Sequence, residues 1–185
     1  ENAGRIVAAA AEAGTTVTFD AEDHTTLDGM HDLVDALRPE FPDTGLVLQA
    51  MLFRTGSDAA RYSAAGSRVR LCKGAYAEPA SVAHTTTTAI GEAYQRCLAV
   101  LLRGDGYPMI ATHDPKMITG ALGQLLLAGR GPGSYEFQML YGVRPEEQLR
   151  LAREGHRVRV YVPYGVDWYG YYMRRLAEKP ANLAL

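Results

Sequence analysis

Two adjacent guanidiniums, Arg174 and Arg175, stand among tyrosines near the end of this 185-residue sequence, within Arg159–Asn182 (RVYVPYGVDWYGYYMRRLAEKPAN). Arginine keeps its charge and presents five donors in a planar fork, so a pair suits bidentate capture of a carboxylate or phosphate. On a helix, Trp168, Tyr171, Arg175 and Glu178 share one face. Glu178 also lies four residues past Arg174, where it can hold that fork in place. The plainer reading is a solvated amphipathic helix with an ion pair worth about 0.3–0.5 kcal/mol.

Three other stretches and two isolated amides could also do chemistry. Asp20-Ala21-Glu22-Asp23-His24 gathers three carboxylates and an imidazole, a set that could ligate a divalent cation. For Glu22 and Asp23 the alternative is a helix N-terminus, where acidic residues are favoured. In Arg68–Tyr76 (RVRLCKGAY), strand alternation puts Arg68, Arg70 and Cys72 on one face. In a strand covered on both sides those cations need a partner: an anionic or electron-rich ligand, or a carboxylate on a neighbouring strand. Gly74, directly after Lys73, would let a ligand approach the backbone. Ala111-Thr112-His113-Asp114 puts a histidine at a strand end, as a catalyst or as a satisfied structural residue. Gln49 and Gln138 are amides at two more strand ends, each both donor and acceptor, and suit the edge of a heterocycle.

The elements that must position these groups alternate regularly. Apolar or β-branched runs fall at Thr15–Phe19, Leu46–Leu48, Val69–Cys72, Met109–Ala111, Tyr135–Leu140 and Val158–Val162. Helical periodicity runs over Asp28–Leu37, Glu92–Leu102, Ile118–Leu127 and Pro145–Ala152, with a shorter helix over Gly56–Gly66 closed by Gly66. An alanine-rich helix opens the chain. Such alternation predicts a parallel sheet. The strand ends close on Asp20, Gln49, Lys73, Thr112-His113, Gln138 and Tyr161, and chemistry spread over many strand ends is the habit of a closed barrel. No Gly-rich phosphate loop follows any strand, which argues against an open doubly wound sheet. The expected fold is α/β, a (βα)₈ TIM-type barrel in a single domain over residues 1–185, with this chain supplying about six of the eight strands.

Composition narrows the function. A net charge of −2 without a Lys/Arg stripe offers nothing for nucleic acid. Cys72 and Cys97 are too few for a disulfide framework and lack CxxC spacing, and suit a reducing compartment or simply two buried thiols. No run is long enough for a transmembrane helix, and the first residues lack the pattern of a signal peptide. The abrupt start at Glu1 reads as a piece of a longer chain.

Taken together, RLCKGAY (Arg70–Tyr76), ATHD (Ala111–Asp114), YEFQMLYG (Tyr135–Gly142) and the Arg159–Asn182 segment resemble the proline dehydrogenases, in order and over nearly the whole chain. The resemblance implies a flavoenzyme on a (βα)₈ barrel that oxidises L-proline to Δ1-pyrroline-5-carboxylate, with FAD passing the electrons to a membrane quinone. It implies a cytoplasmic protein, peripheral at the inner face of the membrane. Arg174 and Arg175 would clamp the proline carboxylate, and Tyr161, Tyr171, Tyr76 and Leu140 would wall its ring. Arg70 would lie near the flavin N5 and Asp20 near the substrate-side arginines, and these two are the expected catalytic groups. FAD contacts would come from Ala21, Gln49, Arg70, Cys72, Lys73, Gly74, Ala75, Thr112, His113, Gln138 and Glu178. The family's early strands, one with a substrate-side lysine, would precede residue 1, the chain after the closing helix is short, and Met51 stands where the family often has an aromatic.

Two other readings compete. A metal-dependent barrel lyase would use Asp20, Glu22 and His24, and a non-catalytic barrel fragment would bind no cofactor.

Overall fold

The computed structural model describes residues 1–166, 168–170 and 173. Six strands, β1 (Thr18–Phe19), β2 (Gly45–Gln49), β3 (Arg68–Cys72), β4 (Tyr107–Ala111), β5 (Glu136–Leu140) and β6 (Val158–Tyr161), form one parallel sheet in simple sequential order. Six helices alternate with them: α1 (Asn2–Glu12), α2 (Leu27–Leu37), α3 (Thr55–Ala64), α4 (Thr87–Arg103), α5 (Pro115–Leu127) and α6 (Pro145–Arg153). Parallel crossovers are right-handed, so a strand order that never reverses puts every connecting helix on one side of the sheet. The sheet curls into a half-barrel with its helices outside, six strands of the expected barrel.

Register shows which residues face which way, because partners in a parallel ladder share a face. Leu46, Leu48, Val69, Leu71, Ile110, Phe137 and Met139 point outward and join Tyr62, Tyr94, Leu98, Ile118 and Leu151 in the main core. Losing a fully buried side chain such as Phe137 costs about 3–5 kcal/mol. The concave face carries the opposite set: Val47, Gln49, Arg70, Cys72, Met109, Ala111, Glu136 and Gln138.

Several boundaries differ from those the sequence predicts. β1 keeps only the end of its apolar run, since Thr18 and Phe19 alone ladder with β2. Helix α4 begins five residues before Glu92 because Thr86 Oγ1 accepts from the Ala89 amide at 3.2 Å, an N-cap. Helix α5 begins at Pro115 because Asp114 Oδ1 caps the Lys116 amide at 2.8 Å, and proline fits the first helical turn. Helix α3 ends before Gly66, whose φ of +66° turns the chain back toward β3. The end of α4 is held from a distance: the Arg130 guanidinium donates to the carbonyls of Leu102 (2.9 Å), Gly106 (3.1 Å), Ser134 (3.3 Å) and Gly104. The Gly129–Gly133 turn before β5 therefore staples that helix terminus.

Candidate active site

A cleft of about 910 Å³ opens where the strands end, near the upper limit of ordinary small-molecule sites at roughly 300–1,000 Å³. Asp20 and Ala21 enter it after β1, and Gln49 from β2. Arg70, Cys72, Lys73, Gly74, Ala75 and Tyr76 enter from β3 and the loop after it. Thr112 and His113 follow β4, Gln138 and Leu140 belong to β5, and Tyr161 to β6. Every described residue that the family resemblance assigns to the site thus lines one cleft, while Glu22, Asp23, His24 and Arg68 do not. Arg174, Arg175, Tyr171 and Glu178 lie outside the described residues.

Arg70 is the best-anchored cation in the cleft. Its Nε donates to Gln138 Oε1 at 2.6 Å and its Nη1 pairs with Asp20, leaving Nη2 without a hydrogen bond among the described residues. A carboxylate does pair with Arg70, but it comes from the end of β1, two strands away across β2, rather than from a neighbouring strand. Asp20, expected beside Arg174 and Arg175, is engaged with Arg70 here. Arg68 finds a different partner, with its guanidinium 4.2 Å from the centroid of the Tyr107 ring. Lys73 Nζ donates to Asp114 Oδ2 at 2.6 Å. Burial alone would push the Asp114 carboxyl up, but Lys73 and the Lys116 amide outweigh it and hold it below the usual range.

The amides and the thiol have defined states. Gln49 Nε2 donates to the carbonyls of Glu22 (2.7 Å) and Ala21 (3.3 Å), while its Oε1 is buried with no hydrogen-bond partner among the described residues. Burial pushes the Cys72 thiol up to about 11, so it is protonated at neutral pH, and Sγ donates to the Leu48 carbonyl at 3.7 Å. His113 Nε2 accepts from the Leu140 amide at 2.8 Å, and its carbonyl accepts from Arg144 Nη1 at 2.7 Å. Its imidazole thus ties β4 to the end of β5. Gly74 has φ +103°, and a Cβ there would meet Met51 Sδ at 2.1 Å, so the close approach comes from Met51 as well as from the cleft.

The acidic cluster after β1 does not converge. Asp23 Oδ1 accepts from the Thr25 amide at 2.9 Å, in a turn ahead of α2, and Glu22 accepts from Tyr76. His24 turns to the nearly buried Glu78, which also accepts from the His24 amide at 2.8 Å. Among the described residues no three His, Cys, Asp or Glu side chains gather as metal ligands, and the metal-lyase reading finds no support.

The sequence passes over some groups at this face. Arg144 lines the cleft from a left-handed N-cap position, φ 50° and ψ 56°, just before α6. Its signal in the sequence is Pro145, which by itself marks only a helix start. Glu136 and Arg159 lie below the cleft, and both are masked in the sequence by apolar strand neighbours.

The sequence pattern of the proline dehydrogenase family matches residues 2–184. The chain belongs to that family. It is 43% identical over 185 residues to the proline dehydrogenase of Deinococcus radiodurans, covering 99% of this chain and 60% of that protein. It is 41% identical over 180 residues to proline dehydrogenase 1 of Bacillus subtilis strain 168, covering 97% of this chain and 59% of that protein. The chain therefore spans about three-fifths of the length of these family members. Among solved structures it is similar to proline utilization A from Bdellovibrio bacteriovorus inactivated by N-propargylglycine, with a TM-score of 0.84 and 25% identity over 90% of this chain and 20% of that one. It is also similar to proline utilization A of Bradyrhizobium japonicum, TM-score 0.75 and 26% identity over 92% of this chain and 20% of that one.

Proposed function

We propose that this chain carries the cofactor- and substrate-binding face of an FAD-dependent proline dehydrogenase, which oxidises L-proline to Δ1-pyrroline-5-carboxylate and passes the electrons to a membrane quinone. The observation that carries this reading is the convergence, at one cleft, of the Arg70 guanidinium and the Gln49 amide, whose Nη2 and Oε1 have no hydrogen-bond partner among the described residues. Arg70 can donate to an electron-rich ring, and Gln49 Oε1 can accept from a ring N–H that satisfies its buried lone pairs. That donor and acceptor set fits a flavin. Lys73 and Arg144 add positive charge at the mouth of the cleft, where a pyrophosphate would be compensated.

FAD, when bound, supplies a two-electron acceptor for hydride. The protein's own part is positioning. By the family resemblance, Arg174 and Arg175 take the proline carboxylate, Tyr76, Tyr161, Tyr171 and Leu140 wall the ring, and Glu178 adds a cofactor contact. Proline has little other polar surface, so these charge-assisted bonds, about 1.5–3 kcal/mol each, supply most of its orientation. Arg70, steadied by Asp20 and Gln138, keeps a fixed cation beside the reacting centre. Ala21, Cys72, Lys73, Gly74, Ala75, Thr112 and His113 complete the cofactor contacts. Cytoplasmic location with peripheral attachment at the inner membrane face follows from the family resemblance. Among the described residues, no helix is long and apolar enough to cross a membrane.

The test is a visible spectrum of the purified full-length polypeptide before and after anaerobic L-proline. A flavin band that bleaches with proline is expected. Colourless protein, or a band indifferent to proline, would overturn the reading.

A further inference from the structure

Below the cleft, side chains from β3, β5 and β6 form a line whose hydrogen-bond polarity is dictated by chemistry. Arg70 Nε donates to Gln138 Oε1 at 2.6 Å, and Gln138 Nε2 donates to Glu136 Oε1 at 2.6 Å. Arg159 closes the line with Nε on Oε1 at 2.6 Å and Nη2 on Oε2 at 3.0 Å. Tyr107 adds its hydroxyl to Glu136 Oε2 at 3.2 Å. Arginine can only donate and an ionised carboxylate can only accept. The amide between them therefore has one allowed orientation, with its oxygen toward Arg70 and its nitrogen toward Glu136.

Glu136 is 0% exposed, whereas its partner Arg159 is half in solvent. A buried carboxylate is costly, and an apolar residue of similar volume would fill the barrel interior without desolvating a charge. Its presence is explained by what it orients.

We propose that Glu136 is a positioning residue for the electron-transfer site, locking the Gln138 amide so that its oxygen holds the Arg70 guanidinium at the cleft. The inference rests on the flavin-dependent reading above. With glutamine at position 136 the Gln138 amide is free to turn its NH₂ toward Arg70, setting donor against donor. Arg70 then keeps only Asp20 as an anchor, and its Nη2 no longer holds one direction.

The experiment compares Glu136→Gln with Arg159→Lys in the full-length polypeptide. Arg159→Lys leaves a cation beside Glu136 and leaves Gln138 oriented. FAD affinity is read by fluorescence titration of the apoprotein, and kcat and KM for proline are read per bound flavin. Glu136→Gln is expected to raise the Kd for FAD about tenfold and lower kcat about tenfold, with KM within about twofold, corresponding to the loss of roughly one hydrogen bond. Arg159→Lys is expected to leave all three within about twofold. If Glu136→Gln does not fold, Glu136→Asp carries the same test, because it keeps the charge but withdraws it from Gln138. Unchanged FAD binding in the Glu136 variants, or equal losses in both sets, would overturn the proposal in favour of a β5–β6 ion pair. A parent chain that binds no flavin would overturn the functional reading itself. A parent bleached by proline with an unaffected Glu136 variant overturns this inference alone.

Discussion

Asp114 and Lys73, at the ends of adjacent strands, are joined at 2.6 Å while the other oxygen of Asp114 caps helix α5 at 2.8 Å. One carboxylate thus ties the β3 loop to the start of α5. Asp114→Ala removes both bonds and Asp114→Asn keeps a cap. The expected loss for alanine is about 1–2 kcal/mol, with asparagine recovering most of it. Since the folded carboxyl sits below its usual 3.8, the contribution is present above that pH and disappears as pH falls through the folded value. Urea denaturation of both variants at pH 7 and pH 3 checks the assignment.

Arg70 and Arg175 should separate kinetically. Arg70→Lys cannot reproduce a fork that engages Gln138 and Asp20 together. It is expected to lower kcat about 10²-fold with little change in KM, the cost of removing one fixed donor from a reacting centre. Arg175→Met should instead raise KM for proline about tenfold or more while the protein stays yellow. Steady-state kinetics with a dye acceptor distinguish the two, and unchanged proline kinetics in Arg175→Met would sink the clamp.

Arg130 serves stability alone. Its guanidinium is spent on the Leu102 carbonyl at the end of α4, the Gly106 carbonyl before β4 and the Ser134 carbonyl before β5. Arg130→Met leaves these buried acceptors open, a loss of about 2 kcal/mol or about 4–8 °C in Tm for a chain of this size. Calorimetry is the measurement, and FAD affinity should not move.

His31 makes the fold sensitive to mild acid. It is 2% exposed, stands edge-on to Tyr62 at 5.2 Å, and has no hydrogen-bond partner at Nε2 among the described residues. Burial lowers its pKa below the usual 6.5, nearby Arg54 and Arg61 act in the same direction, and Asp58 and Asp35 oppose them. The unfolded chain takes up a proton near pH 6.5 that the folded chain resists, so stability is full above that pH and falls below it. The urea midpoint should drop between pH 7 and pH 5.5, and His31→Gln should flatten that drop.

The sequence alone determined the βα alternation, the parallel sheet and the polar strand ends, because apolar periodicity and turn residues are local properties. It also singled out Gln49, Arg70, Lys73, His113 and Gln138, since a polar or charged residue ending an apolar strand is conspicuous. Helix starts were less legible where a cap decides them. Thr86 and Asp114 act through a single side-chain bond that periodicity does not register.

Only the tertiary structure decided the partners. Arg70 meets Asp20 across 50 residues of sequence, His24 turns to Glu78 rather than to a metal, and Glu136 selects Arg159. Each choice depends on strand register and on which desolvated charge lies within about 3 Å of another, a relation that spacing along the chain does not contain. Arg174 and Arg175 therefore stand as a reading of sequence, while the Arg70–Gln138–Glu136 line beneath the cleft is a product of the folded sheet.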